Sequence, residues 1–523
     1  MSISCKAAPR NFAECQLMIT DPLTSAARNE LLVESSLEQP TWDEAKAAKT
    51  VEATRRGHLF SMARQEWFSA FAYMIADIAT WVLFYGAISY VRRDAFFVSP
   101  LDFVLVDLLT LAVLLQALYV VGGYDRNTET RSLAYAMEHI LAVIGAAAVS
   151  SLLIYSAAAY DQTMKPSRGV MLVSFIAFIP FSLGYRRLMR RFVASSTANR
   201  AFLVVGSGEL AADFYRAYHG STNRQRLEFV DIERQRVGQH IAGPGSPIIE
   251  GDIVTKLANI DERYSGVILA ERVDRLHPDL LEVLVRTQFQ RMRVYTLESF
   301  YETHWRHVPV HSIDPFWPLQ MGFQLARNSP YHYLKRLFDL AFSSVALVLC
   351  LPVIAVIVLW NFLQNGRPVL FRQVRIGCEG EPFTILKFRT MSHRPTDETE
   401  DIYTRDGDPR ITKLGHGLRK LRLDELPQLW NVFRGDMSLI GPRAEWTKCA
   451  ERYEKKIPFY HFRHLVKPGI TGWAQVNYPY GESDADAIEK LKYDLYYIRH
   501  YSLKLDAMIV LKTVHVMLFG RGR

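Results

Sequence analysis

The sequence predicts a four-span α-helical membrane bundle joined to a Rossmann-like α/β domain and a further soluble region at the C-terminus. Three observations carry this reading. Between residues 65 and 192 lie four apolar runs near the length of about 20 residues that a span needs. From residue 199 short apolar strands alternate with helical stretches, the pattern of a parallel α/β sheet. After one more apolar run, the chain beyond residue 333 turns charged and rich in Gly and Arg. The 523 residues leave room for several domains. A hydrophobic share of 49% exceeds what a purely soluble chain needs. The 5 Cys are scattered without a CxxC pair, which argues against a disulfide framework and a Cys-rich zinc site. The formal charge of +8 suits an anionic membrane surface. No basic helix with groove-reading side chains stands out, so no nucleic acid is expected as a partner.

Residues 1–64 form a polar tail rich in Glu, Ala and Ser. It lacks the basic start and short apolar run of a signal peptide, so no cleavage is expected. The spans follow in residues 65–192: Trp67–Val91, Asp102–Val121, Ile140–Tyr160 and Gly169–Tyr185. Trp67, Tyr90, Tyr160 and Tyr185 sit near their edges, as interfacial anchors do. Arg55, Arg56 and Arg64 precede the first span, and Arg186, Arg187, Arg190 and Arg191 follow the last. The positive-inside rule then puts the tail and everything after residue 186 in the cytoplasm. Asp77, Asp102 and Asp107 lie in or beside spans, where carboxylates mark either a functional pathway or helix–helix and interfacial contacts.

Residues 199–325 read as the Rossmann-like unit. Ala201–Val205 is a strand, and Gly206-Ser207-Gly208 leads into a helix reaching about His219. Gly266–Ala270 and Arg293–Leu297 are further strands, with a helix over Leu280–Gln290. Gly206 to Ala211 fits a G-x-G-x-x-A nucleotide fingerprint, equally readable as a structural turn. Leu340–Trp360 then holds 21 residues without a charge. A fifth crossing would put the basic C-terminal third outside, against the charge rule. Pro352 kinks a helix by removing a hydrogen bond and crowding the preceding turn. A kinked segment that leaves on its side of entry is the alternative to a crossing, and it is tolerated where protein covers the freed backbone.

The chemistry-bearing residues concentrate between Lys387 and Asn477. Lys387 and Arg389 are two apart, so on a strand they share one face. They form either a pyrophosphate clamp or a solvated cationic face. Leu423-Asp424-Glu425-Leu426-Pro427 predicts a helix starting near Asp424, with Pro427 in its first turn. The helix dipole there favours an ionised carboxylate. Such a group can attack phosphorus, or it is ordinary N-terminal acidity. Arg443 follows a Gly-Pro turn, and Lys467-Pro468-Gly469 leads to Trp473, Gln475 and Asn477, a cradle for a base or sugar or a structured loop.

Residues 333–523 resemble the bacterial sugar transferases, the polyprenyl-phosphate glycosyl-1-phosphate transferases. Five motifs carry the resemblance in order: Lys335-Arg336-Leu-Phe-Asp339, Lys387-Phe-Arg389-Thr390-Met391, Leu423-Asp424-Glu425-Leu-Pro-Gln-Leu, Gly435-Asp436-Met-Ser-Leu-Ile-Gly-Pro-Arg443 and Lys467-Pro-Gly-Ile-Thr-Gly-Trp-Ala-Gln-Val-Asn477. The whole chain is similar to the large members that start exopolysaccharide synthesis at the bacterial inner (cytoplasmic) membrane. The resemblance implies an α/β monotopic transferase domain over 333–523, its active site facing the cytoplasm, entered by a re-entrant helix over 335–363. It implies transfer of a sugar 1-phosphate from a UDP-sugar to undecaprenyl phosphate, with UMP leaving. Asp424 is matched to a nucleophile that forms a covalent phosphosugar intermediate, and Glu425 to its partner holding Mg²⁺. Lys387, Arg389, Arg443, Lys467, Gln475 and Asn477 are matched to substrate and phosphate contacts. Lys335, Arg336, Asp339 and Pro352 are matched to the membrane-interface helix. The partners implied are the UDP-sugar, undecaprenyl phosphate and the bilayer, and a homodimer stays open. Ala444, Tyr478 and Arg422 depart from residues common in the family and leave the donor sugar undefined.

Two rival readings fit parts of the sequence. A membrane-tethered NAD-dependent nucleotide-sugar dehydratase or epimerase would use the Gly206 fingerprint and the Tyr331/Lys335 pair. A non-catalytic scaffold would be signalled by loss of Asp424 or Glu425, and both are present.

Overall fold

The computed structural model describes residues 66–519, apart from short stretches of which 94–100, 160–167, 257–262, 324–328 and 393–409 are the longest. The polar tail, Tyr160 and the side chains of Trp67 and Asp102 lie outside the described residues.

Helices α1 (Glu66–Arg93), α2 (Leu101–Val120), α3 (Leu133–Ala157) and α4 (Arg168–Thr197) form the expected bundle. α1, α3 and α4 are long and apolar enough to cross a membrane, and the apolar part of α2 is shorter. Trp81, Leu114, Leu118, Val143, Phe175 and Phe178 fill the interior. Leu83, Leu152, Leu172 and Ile176 point outward, as hydrocarbon contact requires. One expectation changes here. The fourth helix runs past Tyr185 to Thr197, so the arginine cluster lies within it. Arg186 is fully buried rather than facing headgroups, and its Nη2 pairs with Asp77 Oδ2 at 2.6 Å. The Tyr185 hydroxyl donates to the same carboxylate. A buried guanidinium needs a buried counter-charge, so Asp77 is a helix–helix contact.

The middle unit is a five-stranded, all-parallel sheet in the order β3-β2-β1-β4-β5. Its elements are β1 (Ala201–Val205), α5 (Glu209–His219), β2 (Arg226–Val230), β3 (Ile249–Glu250), β4 (Tyr264–Leu269), α6 (Pro278–Phe289), β5 (Val294–Thr296) and α7 (Leu297–Trp305). Phe202 and Val204 meet Phe214 of α5 and Phe300 of α7 on one face. Leu203 and Val205 meet Leu284 of α6 on the other. Cover on both faces explains why β1 is buried along its whole length.

Among the described residues beyond α7, no strand joins this sheet. Val308, Val310, Ile313, Trp317 and Phe323 insert into the core of the C-terminal unit, among Tyr453, Trp473, Leu491 and Tyr497. Helix α8 (Tyr331–Asn365) follows, with Pro352 inside it. Both of its ends dock on the same body. Near its start Lys335 pairs with Asp506, and Asp339 Oδ1 accepts the Leu439 N–H at 3.0 Å. Near its end Asn361 Nδ2 donates to the Arg389 carbonyl at 2.7 Å, and Ile357 packs on Phe388 and Leu418. Between these anchors Val348, Leu349 and Leu351 are exposed.

The remaining elements are β6 (Leu370–Ile376), β7 (Pro382–Phe388), α9 (Lys413–Lys420), α10 (Gln428–Arg434), β8 (Ser438–Ile440), α11 (Thr447–Lys456), β9 (Gly469–Thr471), α12 (Trp473–Asn477), α13 (Asp484–Arg499) and α14 (Leu503–Phe519). β6 and β7 are antiparallel, and β8 and β9 are parallel. The last helix, α14, packs back on α2 and α3.

Candidate active site

Strand β7 presents Lys387 next to its end, paired across the hairpin with Phe371. Asn431 of α10 fixes this strand: its Nδ2 donates to Thr384 O at 2.8 Å and its Oδ1 accepts Leu386 N–H at 3.1 Å. Asp424 and Glu425 sit in a short 3-10 turn, Leu423–Glu425, and α10 begins only at Gln428. The expected helix start at Asp424 is therefore displaced. Pro427 lies at the cap of α10, where its missing N–H costs nothing. Arg422, in the left-handed region at φ 56°, turns the chain into the carboxylate pair.

Glu425 is the hub. Its Oε1 accepts Lys387 Nζ at 2.8 Å and Arg443 Nη2 at 3.1 Å, and its side chain is 10% exposed. Burial alone would raise its pKa, but Arg443 and Lys387 overcome this and hold the carboxyl far below the usual range. Asp424 is half-buried and moves the other way. Burial and the neighbouring Glu425 charge push its pKa up, against the pull of Lys387 and Arg419. The dipole-lowered pKa expected from sequence is thus reversed by burial and the adjacent Glu425 charge. Burial and Arg443 also press the Lys387 ammonium below its ordinary value.

Arg443 is held from behind. Arg463 Nη2 donates to the Arg443 carbonyl at 3.0 Å and is itself paired with buried Asp494 at 2.9 Å. In front, the Gly441-Pro442-Arg443 backbone lies directly on β9. A Cβ on Gly469 would sit 2.1 Å from Gly441 N, and one on Gly472 would sit 2.1 Å from Gly441 O. Only glycines permit this approach.

Three further arginines belong to the same cluster, and of these the sequence marks only Arg422, as a departure from the family pattern. Arg375 on β6 donates to Ala444 O at 2.9 Å, and burial and Arg443 push its pKa down. Arg419 reaches Thr390 Oγ1 at 3.0 Å and adds positive charge near Asp424. Arg422 adds charge near Glu425. The basic run through Arg419 and Arg422 ahead of Asp424 is visible in the sequence, whereas Arg375 arrives by strand pairing. Arg375 Nε and Gln428 Nε2 are buried donors without a protein acceptor. The cluster thus pairs an excess of cations with two carboxylates, which suits a diphosphate.

The other predicted residues make the following contacts in the fold. Arg389 falls just past β7, with its N–H on Val369 O at 2.9 Å. Lys467 lines a small cavity with Lys335, Arg336, Asp339 and Tyr501. Arg336 caps α10 through the Val432 and Phe433 carbonyls at 2.6 and 2.8 Å. Lys335, Arg336 and Asp339 therefore spend their polar groups on protein partners. Gln475 Nε2 bonds Ile470 O and Asn477 Nδ2 bonds Trp473 O, within their own loop.

The bacterial sugar transferase profile matches residues 330–520. A UDP-galactose-lipid carrier transferase of Erwinia amylovora is 36% identical over 379 residues, covering 68% of this chain and 76% of the relative. This chain belongs to the bacterial sugar transferase family. Two further family relatives match over shorter spans. The UDP-N-acetylgalactosamine-undecaprenyl-phosphate N-acetylgalactosaminephosphotransferase of Aeromonas hydrophila is 38% identical over 50% of this chain. The UDP-glucose:undecaprenyl-phosphate glucose-1-phosphate transferase of Escherichia coli K12 is 44% identical over 35% of it. The matched regions make up 60% and 39% of those two relatives.

Proposed function

We propose that this chain transfers a sugar 1-phosphate from a UDP-sugar to undecaprenyl phosphate, releasing UMP, as the first membrane step of exopolysaccharide or other surface glycan synthesis. The observation that carries this is the Asp424–Glu425 pair set among Lys387, Arg443, Arg375 and Arg419. Glu425 is spoken for by two cations. Asp424 is the carboxylate left to act as the nucleophile. Its oxygen attacks the sugar-bearing phosphorus, the bond to the UMP oxygen breaks, and UMP leaves with that electron pair. An undecaprenyl phosphate oxygen then attacks the same phosphorus, and Asp424 departs as carboxylate. The raised pKa of Asp424 makes it a better nucleophile once ionised. The cations neutralise charge building on the phosphoryl oxygens.

Mg²⁺ typically takes one or two carboxylates plus substrate phosphates. Asp424 and the second oxygen of Glu425 fit that donor set, and the ion would supply charge neutralisation on the diphosphate.

The site's membrane placement follows from α8. Residues 336 and 361 would be about 37 Å apart along a straight helix. Their anchors, Val432 and Arg389, lie on segments held together: Asn431, next to Val432, bonds Leu386, three residues before Arg389. This supports a helix that re-enters the cytoplasmic leaflet and keeps the active site on the face the arginines favour. An apolar groove of about 630 Å³ is lined by residues of Pro352–Gln364 and Lys413–Leu423, the last of them next to Asp424 in the chain, and suits the lipid tail. The middle unit reads as a Rossmann-like scaffold. Glu209 and Glu271 flank its glycine turn, where a pyrophosphate would lie, and Tyr331 and Lys335 are both committed to Asp506. These contacts disfavour the dehydratase reading.

The test is UMP release from membranes given undecaprenyl phosphate, Mg²⁺ and one UDP-sugar at a time. Lipid-dependent UMP from one donor is expected, and loss of it in Asp424→Asn. No UMP from any donor, with folded protein, overturns the reading. Cysteines placed at Ser329 and Arg367 should label from the same side of the membrane. Labelling from opposite sides would make α8 a crossing.

A further inference from the structure

We propose that the membrane bundle sets the active-site geometry by gripping Trp473, so that Arg306 and Lys512 are positioning residues for Arg443. The inference rests on the reaction proposed above, but its geometry stands apart from it. Arg306 ends α7 in the left-handed conformation, φ 56° and ψ 38°, which a non-glycine residue adopts only when its contacts hold it there. Four contacts do so, one of them a 3.5 Å bond from its guanidinium to Thr128 Oγ1. Its guanidinium pairs with Asp125 Oδ2, just after α2, at 2.9 Å. It also donates to Met508 Sδ at 3.4 Å. Its carbonyl accepts the Trp473 indole N–H at 2.9 Å. From the other side Lys512 lies over the Trp473 ring at 5.7 Å and pairs with Glu138 of α3 at 3.1 Å. One indole is therefore held from both ends of the α2–α3 corner of the bundle.

Trp473 has little slack toward the site. It opens α12 directly after Gly472, whose Cα hydrogens face the Gly441 carbonyl. Gly441 N–H is bonded to Thr471 O at 2.9 Å, and Gly469 N–H to Pro442 O at 2.8 Å. Two residues on, Arg443 holds Glu425. A shift of Trp473 thus passes as backbone displacement to the cation that grips the catalytic pair. Misplacement by about 1 Å is enough to cost about a hundredfold in rate. The spans would then have a task besides anchoring: releasing the α2–α3 corner should loosen Arg443 without touching substrate.

The experiment uses the full chain in nanodiscs and two readouts. Hydrogen exchange follows residues 439–443 and 469–477, and UMP release gives kcat and donor KM separately. Arg306→Ala should speed exchange in both segments by about tenfold and lower kcat by about tenfold. Adding Asp125→Ala to it should cost nothing further, since both act through one contact. Arg306→Lys should recover most of the loss. Arg286→Ala, on an exposed pair in the middle unit, should change neither readout. If Arg306→Ala does not fold, Trp473→Phe removes the indole N–H that bonds the Arg306 carbonyl and is expected to loosen 439–443 likewise. Unchanged exchange in 439–443 in the folded variants overturns the inference. So does a kcat effect of Asp125→Ala that simply adds to that of Arg306→Ala. If the wild type releases no UMP from any donor, the proposed reaction fails, and the exchange data alone decide the positioning link.

Discussion

Glu425→Gln is the sharpest probe of the carboxylate pair. The substitution keeps shape and removes one charge. In the wild type that charge receives two hydrogen bonds, from Lys387 at 2.8 Å and Arg443 at 3.1 Å. The donors stay cationic in the variant, so the span between charge-assisted bonds, about 1.5–3 kcal/mol, and neutral ones, about 0.5–1.5, sets an upper limit of about 2–3 kcal/mol on the loss from the two together. If that loss falls wholly on the transition state, the rate drops by at most about 30- to 150-fold. The pH profile carries a second signature. Glu425 is the charge that, after burial, raises the Asp424 pKa. Its removal also frees Lys387 and Arg443 to favour the Asp424 anion. Both effects lower the pKa of Asp424, so the acidic limb of the rate profile must move to lower pH even as the maximum falls. The assay is the initial rate of UMP release across the acidic range. A limb that stays in place or moves upward would refute the coupling of the pair and the assignment of Asp424 as the ionised nucleophile.

Other predictions concern the scaffold. Trp317→Ala empties a fully buried site in the C-terminal core and removes a bond to Glu302 at 3.2 Å. It should cost about 4 kcal/mol, read as a lowered unfolding midpoint of the C-terminal unit. Asp77→Asn leaves Arg186 buried without its counter-charge and should cost about 3–5 kcal/mol, whereas Asp77→Leu with Arg186→Met should recover most of it. Thermal unfolding in bilayers distinguishes the two, and equal losses would mean that the pair does not act as a unit. In the middle unit, burial would raise the Glu228 pKa, but Lys256, Tyr264 and Arg263 hold it down at about 2. That stabilisation is present above the ordinary value of 4.5 and is lost as pH falls toward about 2. Glu228→Gln should flatten the acid-side decline in protease resistance, and an unchanged decline would remove Glu228 as its source.

The readable parts of the sequence were those in which local pattern decides. Apolar runs gave the spans, and the strand at Ala201 with its glycine turn gave the parallel sheet. The motifs from Lys387 to Arg443 marked the residues of the candidate site. What escaped depends on partners distant in the chain. Arg186 follows a run of apolar residues and reads as a flanking charge, and only the approach of α1 brings Asp77 to it. Lys467 and Arg443 belong to adjacent motifs, yet the fold gives one to the α8 anchor and the other to Glu425. The pKa of Asp424 escapes a local reading because burial and the Glu425 charge raise it, and the chain makes a 3-10 turn where the dipole argument needs a helix start. Arg375 has no local signal, since its place depends on the register of β6 against β7.

The insertion of residues 308–323 into the C-terminal core bears on where this protein can be cut. The family match begins at residue 330. A fragment started there would leave behind Val308, Val310, Ile313 and Trp317, and would bare the surface around Trp473, Leu491 and Tyr497 that they cover. Such a fragment would be sticky rather than self-contained. The useful excision point lies upstream, between α7 and Val308. A lineage that shed its N-terminal half at residue 330 would have had to repaint that bared face with polar side chains.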